Sequence, residues 1–462
     1  MLMKKSFSVL LVCLTVFCLF CLDVQAAGEA EVFKDGEVVC FLGDSITHGG
    51  RYHSYVYQFY VSRFNDREIE FYNCGIGGDK TWNAVKRLGW DVLYHEPTVT
   101  TVMLGMNDVN LWLYCKEGTE EDRQKRLDDY AASLEQIVRD LNSGGSEVIL
   151  ITPSIYDETA DIERTACKGA NSEGLAECAA TVKDLSEKYG TGLVEFFEPI
   201  RKVNEAIQKQ DPDFTIVGGD RVHPGAAGHY FMAGEFLKGQ GLCEPLCKTY
   251  IDVGMPRHVK IEGTEISEIK IADDQISFEL EDRGIPFIVT GDGKKGEKLT
   301  DFDDVVNQQI LQIVNLDAGE YEIIIDEHVI GVYSDDELCG GVNLAENEKT
   351  PMYKQAVEVA ELNEKRWGLE KDIRDIALVT FGMKLSGIDL SDDTAVEGYI
   401  DERLSKMQDE GSKNFYERVY GLYIDNGGDV LKLQEGVNAV AAKMYEAGKP
   451  VLIDLGLIHT AL

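Results

Sequence analysis

Short apolar runs and amphipathic stretches alternate along the chain between residues 36 and 240. The five runs are Val38–Leu42, Ile69–Asn73, Val99–Leu104, Val148–Thr152 and Gly192–Phe197. Apolar residues are mostly continuous within each run, which is typical of strands that are buried on both faces of a sheet. The pattern therefore predicts five buried strands with helices between them.

The stretch between the third and fourth runs shows a clear helical period. Its apolar face carries Leu127, Ala131, Leu134, Val138 and Leu141, and Gly144-Gly145 follows it. Strands and helices that alternate at this spacing predict an α/β fold with a doubly wound, flavodoxin-like parallel sheet of about five strands. Ligands of such sheets bind outside the carboxyl ends of the strands, so functional residues are expected directly after the apolar runs.

The second half of the chain has a different pattern. Residues 250–346 contain short alternating segments, and Tyr321–Ile325 and Val329–Tyr333 flank a polar tripeptide as in a hairpin. This pattern predicts a small antiparallel β domain. Residues 350–462 return to a helical period and close with a short apolar strand at Val451–Leu455. A mainly helical C-terminal region is expected there.

Composition indicates the size of the core and the sign of the surface charge. The chain has 462 residues, of which 44% are hydrophobic and 27% charged, and its length is typical of two or three globular domains. Its 45 basic and 82 acidic residues give a formal net charge of −37. A surface this acidic repels a phosphate backbone, so no nucleic acid partner is expected.

Residues 1–26 carry the pattern of a secretory signal peptide. Lys4 and Lys5 precede an apolar stretch from Ser8 to Leu22, and Val24-Gln25-Ala26 provides a small-residue cleavage site. The stretch of about 15 apolar residues is short for a membrane-spanning helix. We therefore expect a secreted or periplasmic protein with no integral membrane span after cleavage, and a retained or lipid anchor is the alternative.

Eight of the 11 cysteines lie outside that segment, an even number that fits disulfide formation in an exported chain. The candidate pairs that are close in sequence are Cys167 with Cys178 and Cys243 with Cys247. Cys40 and Cys74 lie in or beside apolar runs and are expected to be free thiols in the core.

Four short polar blocks each follow a predicted strand or precede a helix. They are Gly43-Asp44-Ser45-Ile46-Thr47-His48-Gly49-Gly50, Asn73-Cys74-Gly75-Ile76-Gly77-Gly78-Asp79, Gly105-Met106-Asn107-Asp108 and Asp220-Arg221-Val222-His223-Pro224-Gly225. Each block alone has an ordinary structural explanation, because serine, asparagine, aspartate and glycine are common in caps and turns. The order and the context of the four blocks together are specific.

The residue types in these blocks fit acyl transfer. Ser45 would expose its hydroxyl at the carboxyl edge of the sheet, and His223 would accept the serine proton through Nε2. Asp220, three residues earlier, can bind Nδ1–H and orient the ring. The backbone N–H of Gly78 and the side-chain amide of Asn107 can both point at an oxyanion. These are the parts of a single site for nucleophilic catalysis.

The four blocks resemble the signature blocks of the SGNH (GDSL-like) hydrolase family, over about residues 36–240. The resemblance places a hydrolase domain at residues 36–248. The later segments Gly341–Ala345 and Tyr353–Arg366 are more weakly similar to exported bacterial members that carry an extended C-terminal region. The G-x-S-x-G elbow of ordinary α/β-hydrolases is absent around every serine of the sequence.

The family resemblance also implies a role for each block residue. Ser45 would be the nucleophile, His223 the general base and Asp220 the carboxylate that orients it. The oxyanion hole would consist of the Ser45 N–H, the Gly78 N–H and the Asn107 side-chain amide.

No metal and no cofactor are expected. The H-E-x-x-H and G-x-x-x-x-G-K-[ST] motifs are absent from the sequence, and its eight histidines are scattered. His48 and His53 lie near Ser45 in the chain, but no carboxylate accompanies them at metal-binding spacing. The sequence therefore favours a metal-free mechanism.

The expected function is that of an exported serine esterase that hydrolyses short acyl esters, acetyl esters above all, through an acyl-enzyme on Ser45. The substrate would be a small-molecule or polysaccharide ester, and the carbohydrate part follows only from export and from the habits of the family. A lipase or thioesterase of the same family, with an apolar acyl groove, is one alternative. A catalytically silent glycan-binding protein with the same fold is the other.

Overall fold

The computed structural model describes residues 28–116, 118–254, 258–272 and 275–460, so the expected signal peptide lies outside the described residues. Its first sheet has six strands in the order β1-β6-β5-β4-β2-β3, and every neighbouring pair is parallel. The strands are β1 (Gly28–Glu29), β2 (Val38–Gly43), β3 (Glu70–Gly75), β4 (Val99–Met103), β5 (Glu147–Ile151) and β6 (Gly192–Val194).

Helices connect these strands, and the predicted α/β fold with a doubly wound parallel sheet is confirmed. The helices are α1 (Ser45–Gly49), α2 (Tyr52–Arg63), α3 (Thr81–Asp91), α4 (Trp112–Cys115), α5 (Glu120–Ser143), α6 (Ala176–Tyr189), α7 (Phe197–Gln208) and α8 (Ala226–Gly239). Helix α2 packs against α8, and α3 and α6 pack against α5. The five predicted strands correspond to β2–β6, whereas β1 has only two residues and therefore shows no hydrophobic period.

Two further sheets follow in the chain. One has five strands in the order β13-β12-β15-β10-β9, and the other has four in the order β14-β11-β7-β8. The strands are β7 (Cys247–Asp252), β8 (His258–Glu262), β9 (Thr264–Ile271), β10 (Gln275–Asp282), β11 (Gln309–Val314), β12 (Glu320–Ile325), β13 (His328–Ser334), β14 (Val342–Asn343) and β15 (Ile453–Thr460). The short helices α9 (Phe302–Val306) and α10 (Asp335–Gly340) lie between them in sequence.

The expectation of purely antiparallel pairing is wrong for the four-stranded sheet, because β7 and β11 are parallel. The chain between these two strands is long enough for the crossover that parallel pairing requires. The five-stranded sheet is antiparallel throughout. It contains the expected hairpin of β12 and β13, in which Asp326 and Glu327 adopt left-handed backbone conformations with φ of 46° and 69°.

The last strand of the chain lies in the middle of the five-stranded sheet. Strand β15 pairs with β12 on one side and with β10 on the other. Ile453, Leu455 and Leu457 are buried in the core of these sheets, and the residues between them face outward. This strand extends beyond the predicted Val451–Leu455, because Gly456 and His459 interrupt the apolar pattern but not the pairing.

The described C-terminal region contains four helices, two of which contribute to the core around the first sheet. They are α11 (Pro351–Leu385), α12 (Asp393–Ser405), α13 (Glu410–Asp425) and α14 (Leu431–Ala447). Thr350 caps the long helix α11 by accepting from the Tyr353 N–H at 3.2 Å, and Pro351 occupies its first turn. Helix α11 contacts α2 and β3 as well as α13 and α14. The core around the first sheet therefore includes Ala356, Val359 and Met444.

The disulfide of the structure differs from both candidate pairs. Cys115, at the end of α4, is bonded to Cys167, in the segment after β5, and their Cα atoms lie 4.3 Å apart. Cys178, Cys243 and Cys247 are free. Proximity in sequence misled the prediction, because Cys178 lies on the buried face of α6 and Cys247 is buried in β7. Cys40 and Cys74 are buried free thiols, as expected.

No helix in the described part of the chain combines the length and the apolar character that crossing a membrane requires.

The position of β15 predicts a strong dependence of stability on its inward face. Leu457 is 0% exposed, so Leu457→Ala should lower the free energy of unfolding by about 2–5 kcal/mol. Ile458 on the opposite face is 37% exposed, and Ile458→Ala should cost less than about 1 kcal/mol. Chemical denaturation followed by circular dichroism measures both. Equal losses for the two variants would contradict a central position for this strand.

Candidate active site

The first polar block forms the turn from β2 into α1. The Asp44 carboxylate accepts from the Ile46 N–H at 2.9 Å, so Asp44 caps the helix and Ser45 is its first residue. The N–H of a first helical residue has no partner within the helix, and the Ser45 hydroxyl is not used for capping. A Cβ on Gly43 would lie 2.1 Å from the Thr47 hydroxyl, so the tight turn requires glycine.

Ser45, His223 and Asp220 form a chain of hydrogen bonds. The Ser45 Oγ lies 2.8 Å from His223 Nε2, and His223 Nδ1 lies 2.6 Å from Asp220 Oδ2. The other carboxylate oxygen of Asp220 accepts the backbone N–H groups of Val222 and His223 at 3.0 and 2.9 Å. Burial raises the pKa of Asp220, but these hydrogen bonds outweigh it and hold the pKa below its usual value. The His223 side chain is 47% exposed, so solvent reaches the ring.

Arg221 holds the loop that carries Asp220 and His223. Its backbone is left-handed, with φ of 66°, and its side chain is buried. The guanidinium donates to the carbonyl oxygens of Asp157 and Arg164 at 2.9 and 2.6 Å, both in the segment after β5. No sequence pattern indicates this role of Arg221, because its partners are backbone carbonyls about 60 residues away.

The second block begins in the last residues of β3, continues into the loop after it, and is hydrogen-bonded to the first block. The Ile76 N–H donates to the Gly43 carbonyl at 3.1 Å, and the Asn73 amide donates to the His48 carbonyl at 3.0 Å. Gly78 has a φ of 75°, which strongly favours glycine, and a Cβ there would meet open space. The Gly78 peptide is therefore at the surface of a loop that is fixed to the turn carrying Ser45.

The third block follows β4 and contains an unpaired amide. The Nδ2 atom of Asn107 is buried and has no hydrogen-bond partner among the described residues. The next residue, Asp108, accepts from the N–H and the hydroxyl of Thr81 at 2.9 and 2.6 Å and so fixes the start of α3. Burial raises the pKa of Asp108 to about 6. An unsatisfied buried amide costs about 1–3 kcal/mol, which points to a use in binding or catalysis.

The sheet order explains why these blocks meet. Strand β2, which leads to Ser45, lies between β3 and β4 in the sheet. Gly78 follows β3 and Asn107 follows β4, so both candidate oxyanion donors lie in loops that leave the two strands flanking β2. The loop with Asp220 and His223 precedes α8 and reaches the same edge through the hydrogen bond to Ser45. The structure therefore brings all five predicted site residues to the carboxyl edge of the sheet.

Two histidines near Ser45 have carboxylate partners that sequence reasoning missed. His48 Nε2 lies 2.9 Å from Asp375, and His53 Nδ1 lies 3.7 Å from Glu370. Both carboxylates are on α11, more than 300 residues further along the chain, so no spacing rule could have found them. Burial lowers the pKa of both histidines. The described residues hold no cluster of side chains suited to a metal ion.

Comparison with known proteins agrees with this geometry. The model of the GDSL-like Lipase/Acylhydrolase family matches residues 41–231, which include all four blocks. The solved structure of a gut microbial diltiazem-metabolizing enzyme is 30% identical, with a TM-score of 0.86 over 94% of this chain and 100% of that one. The chain belongs to the GDSL-like (SGNH) hydrolase family.

A characterised relative of this SGNH hydrolase is an esterase. The acetylxylan esterase of Geobacillus stearothermophilus is 27% identical over 223 residues, which cover 45% of this chain and 94% of the relative. The protein is therefore an ester-bond hydrolase. The full-length similarity to the diltiazem-metabolizing enzyme shows that the β and helical regions after the matched domain recur in another protein.

Proposed function

We propose that this hydrolase is an exported serine esterase that removes short acyl groups, acetyl above all, from a carbohydrate through an acyl-enzyme on Ser45. The observation that carries the proposal is the hydrogen-bonded chain of Ser45, His223 and Asp220 beside an unpaired Asn107 amide. The serine, the histidine and the carboxylate are at hydrogen-bonding distance from one another in sequence before substrate binds.

The first step uses the tautomer that Asp220 imposes. The ionised Asp220 carboxylate can only accept, so His223 carries its proton on Nδ1 and leaves the Nε2 lone pair facing the Ser45 hydroxyl. The Ser45 Oγ attacks the ester carbonyl while Nε2 takes its proton. The imidazolium then gives this proton to the leaving alcohol, and the acyl group stays on Oγ.

The negative charge of the tetrahedral intermediate is stabilised by three N–H donors. They are the Ser45 N–H at the helix start, the Gly78 N–H and the Asn107 side chain. Donors that are already free of protein partners need no rearrangement when charge develops, which makes them effective in the transition state. The unpaired amide of Asn107 therefore costs stability in the resting protein and stabilises the oxyanion during reaction.

Water completes the cycle through the open side of the histidine. His223 is 47% exposed, so a water molecule can approach Nε2 once the alcohol has left. Nε2 accepts a proton from this water as its oxygen attacks the acyl carbonyl. Collapse of the second tetrahedral intermediate returns the proton to Ser45 Oγ and releases the carboxylic acid.

The proposed substrate class rests on the relative and on the exposed site. The relative named as an acetylxylan esterase shares the matched region, and its name states an acetyl ester of a polysaccharide. The Asp220 and His223 side chains are 41% and 47% exposed, so a large polar substrate has access to them. An ester carried by a long polymer needs this kind of open surface.

Export rests on the N-terminal pattern and on the disulfide. The Cys115–Cys167 bond joins the segment after the Asn107 block to the segment after β5, and such bonds persist mainly in oxidising compartments. Expression in a bacterial host should therefore give protein outside the cytoplasm whose N-terminal sequencing starts at Ala27. Recovery of the whole protein in the cytoplasm with Met1 intact would contradict export.

The acyl specificity is tested with aryl esters. Wild-type protein should hydrolyse an aryl acetate with a higher kcat/KM than the matching aryl octanoate, and Ser45→Ala should lose both activities because the nucleophile is gone. Wild-type protein should also release acetate from acetylated xylan, and Ser45→Ala should not. A preference for octanoate would instead favour a lipase or thioesterase. Full activity of Ser45→Ala would disprove the proposed mechanism.

The oxyanion assignment is tested with Asn107→Ala. Loss of one oxyanion donor lowers kcat by about 10²–10³-fold, while the free energy of unfolding should stay unchanged or rise because an unpaired buried amide is removed. Steady-state kinetics and thermal unfolding measure the two effects. Asn142→Ala, at an exposed position of α5, is the matched control and should leave both unchanged. Equal kcat values for the two variants would rule out this donor.

A further inference from the structure

His48 connects the Gly77–Gly78 segment, here called the oxyanion loop, to the C-terminal helix α11. Its ring is buried, with only 7% of the side chain exposed, and lies outside the hydrogen-bonded chain of Ser45, His223 and Asp220. His48 Nδ1 lies 3.2 Å from the Gly77 N–H, and Nε2 lies 2.9 Å from Asp375 Oδ1. The residue next to Gly77 is the proposed oxyanion donor Gly78.

Asp375 determines which ring nitrogen of His48 carries the proton. Its second oxygen accepts from Arg418 at 2.6 Å and from Lys371 at 3.4 Å. Burial raises the pKa of Asp375, but the His48 and Arg418 hydrogen bonds outweigh it and hold the pKa at about 2. The carboxylate is therefore ionised and can only accept, so His48 Nε2 carries a proton.

The protonation of Nε2 leaves Nδ1 of the neutral ring as an acceptor. Burial lowers the pKa of His48, which favours this neutral form. The Gly77 N–H can then donate to Nδ1, and this bond fixes the peptide that precedes the Gly77–Gly78 peptide. Two consecutive glycines have wide conformational freedom. A fixed N–H on Gly77 therefore restricts the direction in which the Gly78 N–H points.

We propose that Asp375 is a positioning residue of the oxyanion hole, which acts through the His48 ring to hold the Gly77–Gly78 segment in its catalytic conformation. The inference rests on the proposed function of Gly78. It gives the C-terminal region a part in the reaction, since Asp375 lies on α11 and its partner Arg418 lies on α13. Asp375 is fully buried, so it can act on the reaction only through its neighbours.

The competing explanation is that His48 and Asp375 only attach α11 to the hydrolase fold. Two substitutions at His48 separate the explanations. The Oδ1 atom of asparagine can replace Nδ1, so His48→Asn keeps an acceptor for Gly77 and loses the bond to Asp375. The Nε2 atom of glutamine can replace the ring Nε2, so His48→Gln keeps the bond to Asp375 and loses the acceptor.

The two explanations predict opposite orders for this pair of variants. If His48 positions the oxyanion loop, kcat for an aryl acetate falls about 10- to 100-fold in His48→Gln and clearly less in His48→Asn, with KM little changed in both. If the contact is only structural, His48→Asn is the more damaged variant in both thermal unfolding and kcat.

Asp375→Asn tests the tautomer argument at nearly constant volume. Arg418 and Lys371 hold the amide oxygen, so the new NH₂ group faces His48 Nε2 and forces it to accept. The ring then carries its proton on Nδ1. This proton faces the Gly77 N–H, so the hydrogen bond between the two groups is lost. We expect a loss of kcat similar to that of His48→Gln. Glu364→Gln, on the same helix but paired with Arg51 at 3.0 Å, is the control and should keep kcat within about twofold.

Hydrogen–deuterium exchange of the peptide that covers residues 75–79 gives a readout without catalysis. Exchange should be faster in His48→Gln and Asp375→Asn than in wild type, and unchanged in His48→Asn. Equal exchange and equal kcat in the two His48 variants would overturn the inference. Retained activity in Ser45→Ala would overturn the proposed function instead, and the exchange data would still test the contact.

Discussion

Arg87 is the buried charge on which the arrangement of the catalytic loops depends. Its side chain on α3 is fully buried and donates to the carbonyl of Gly43, just before the serine turn, at 3.1 Å. It also donates to the carbonyl of Cys74 and to Asp79 in the second block, both at 2.8 Å, and forms an ion pair with Asp91. A buried guanidinium needs every one of these acceptors, so the first two blocks are held at a fixed separation.

The same constraint ties the C-terminal region to the catalytic fold. Asp91 forms ion pairs with Arg87 and with Arg374 on α11. The two terminal nitrogens of Arg374 donate to Asp91 at 2.8 and 2.9 Å, and its Nε donates to the Gly75 carbonyl at 3.0 Å. Burial raises the pKa of Asp91, but the two arginines outweigh it and keep the carboxylate ionised. Removal of one partner from a buried ion pair costs about 3–5 kcal/mol. Helix α11 is therefore part of the charge balance beneath the active site and not an independent addition.

The sequence predicted those parts of the molecule that depend on local pattern. Buried parallel strands are continuous apolar runs, and the polar residues after them must lie at one edge of the sheet. Strands β2–β6 and the candidate site residues from Ser45 to His223 could therefore be predicted from the sequence. The contacts of His48 with Asp375 and of Arg374 with Asp91 depend on packing between segments that are distant in the chain. Asp375 looks like any other acidic residue of a helix, and neither the Cys115–Cys167 bond nor the central position of β15 has a local signature.

The two halves of the site are held in different ways, and the difference follows from their chemistry. The loop with Asp220 and His223 is exposed, and Arg221 anchors it by donating to backbone carbonyl oxygens, so in the proposed mechanism the histidine can serve in turn the serine, the alcohol and water. The proposed oxyanion donors gain nothing from movement, because such donors act only if they already point at the developing charge. The buried ion pairs of Arg87 and Arg374 and the bond between His48 and Asp375 restrict movement on this side of the site. The long helix α11 adds Arg374 and Asp375 to the buried charges that α3 already supplies there through Arg87 and Asp91.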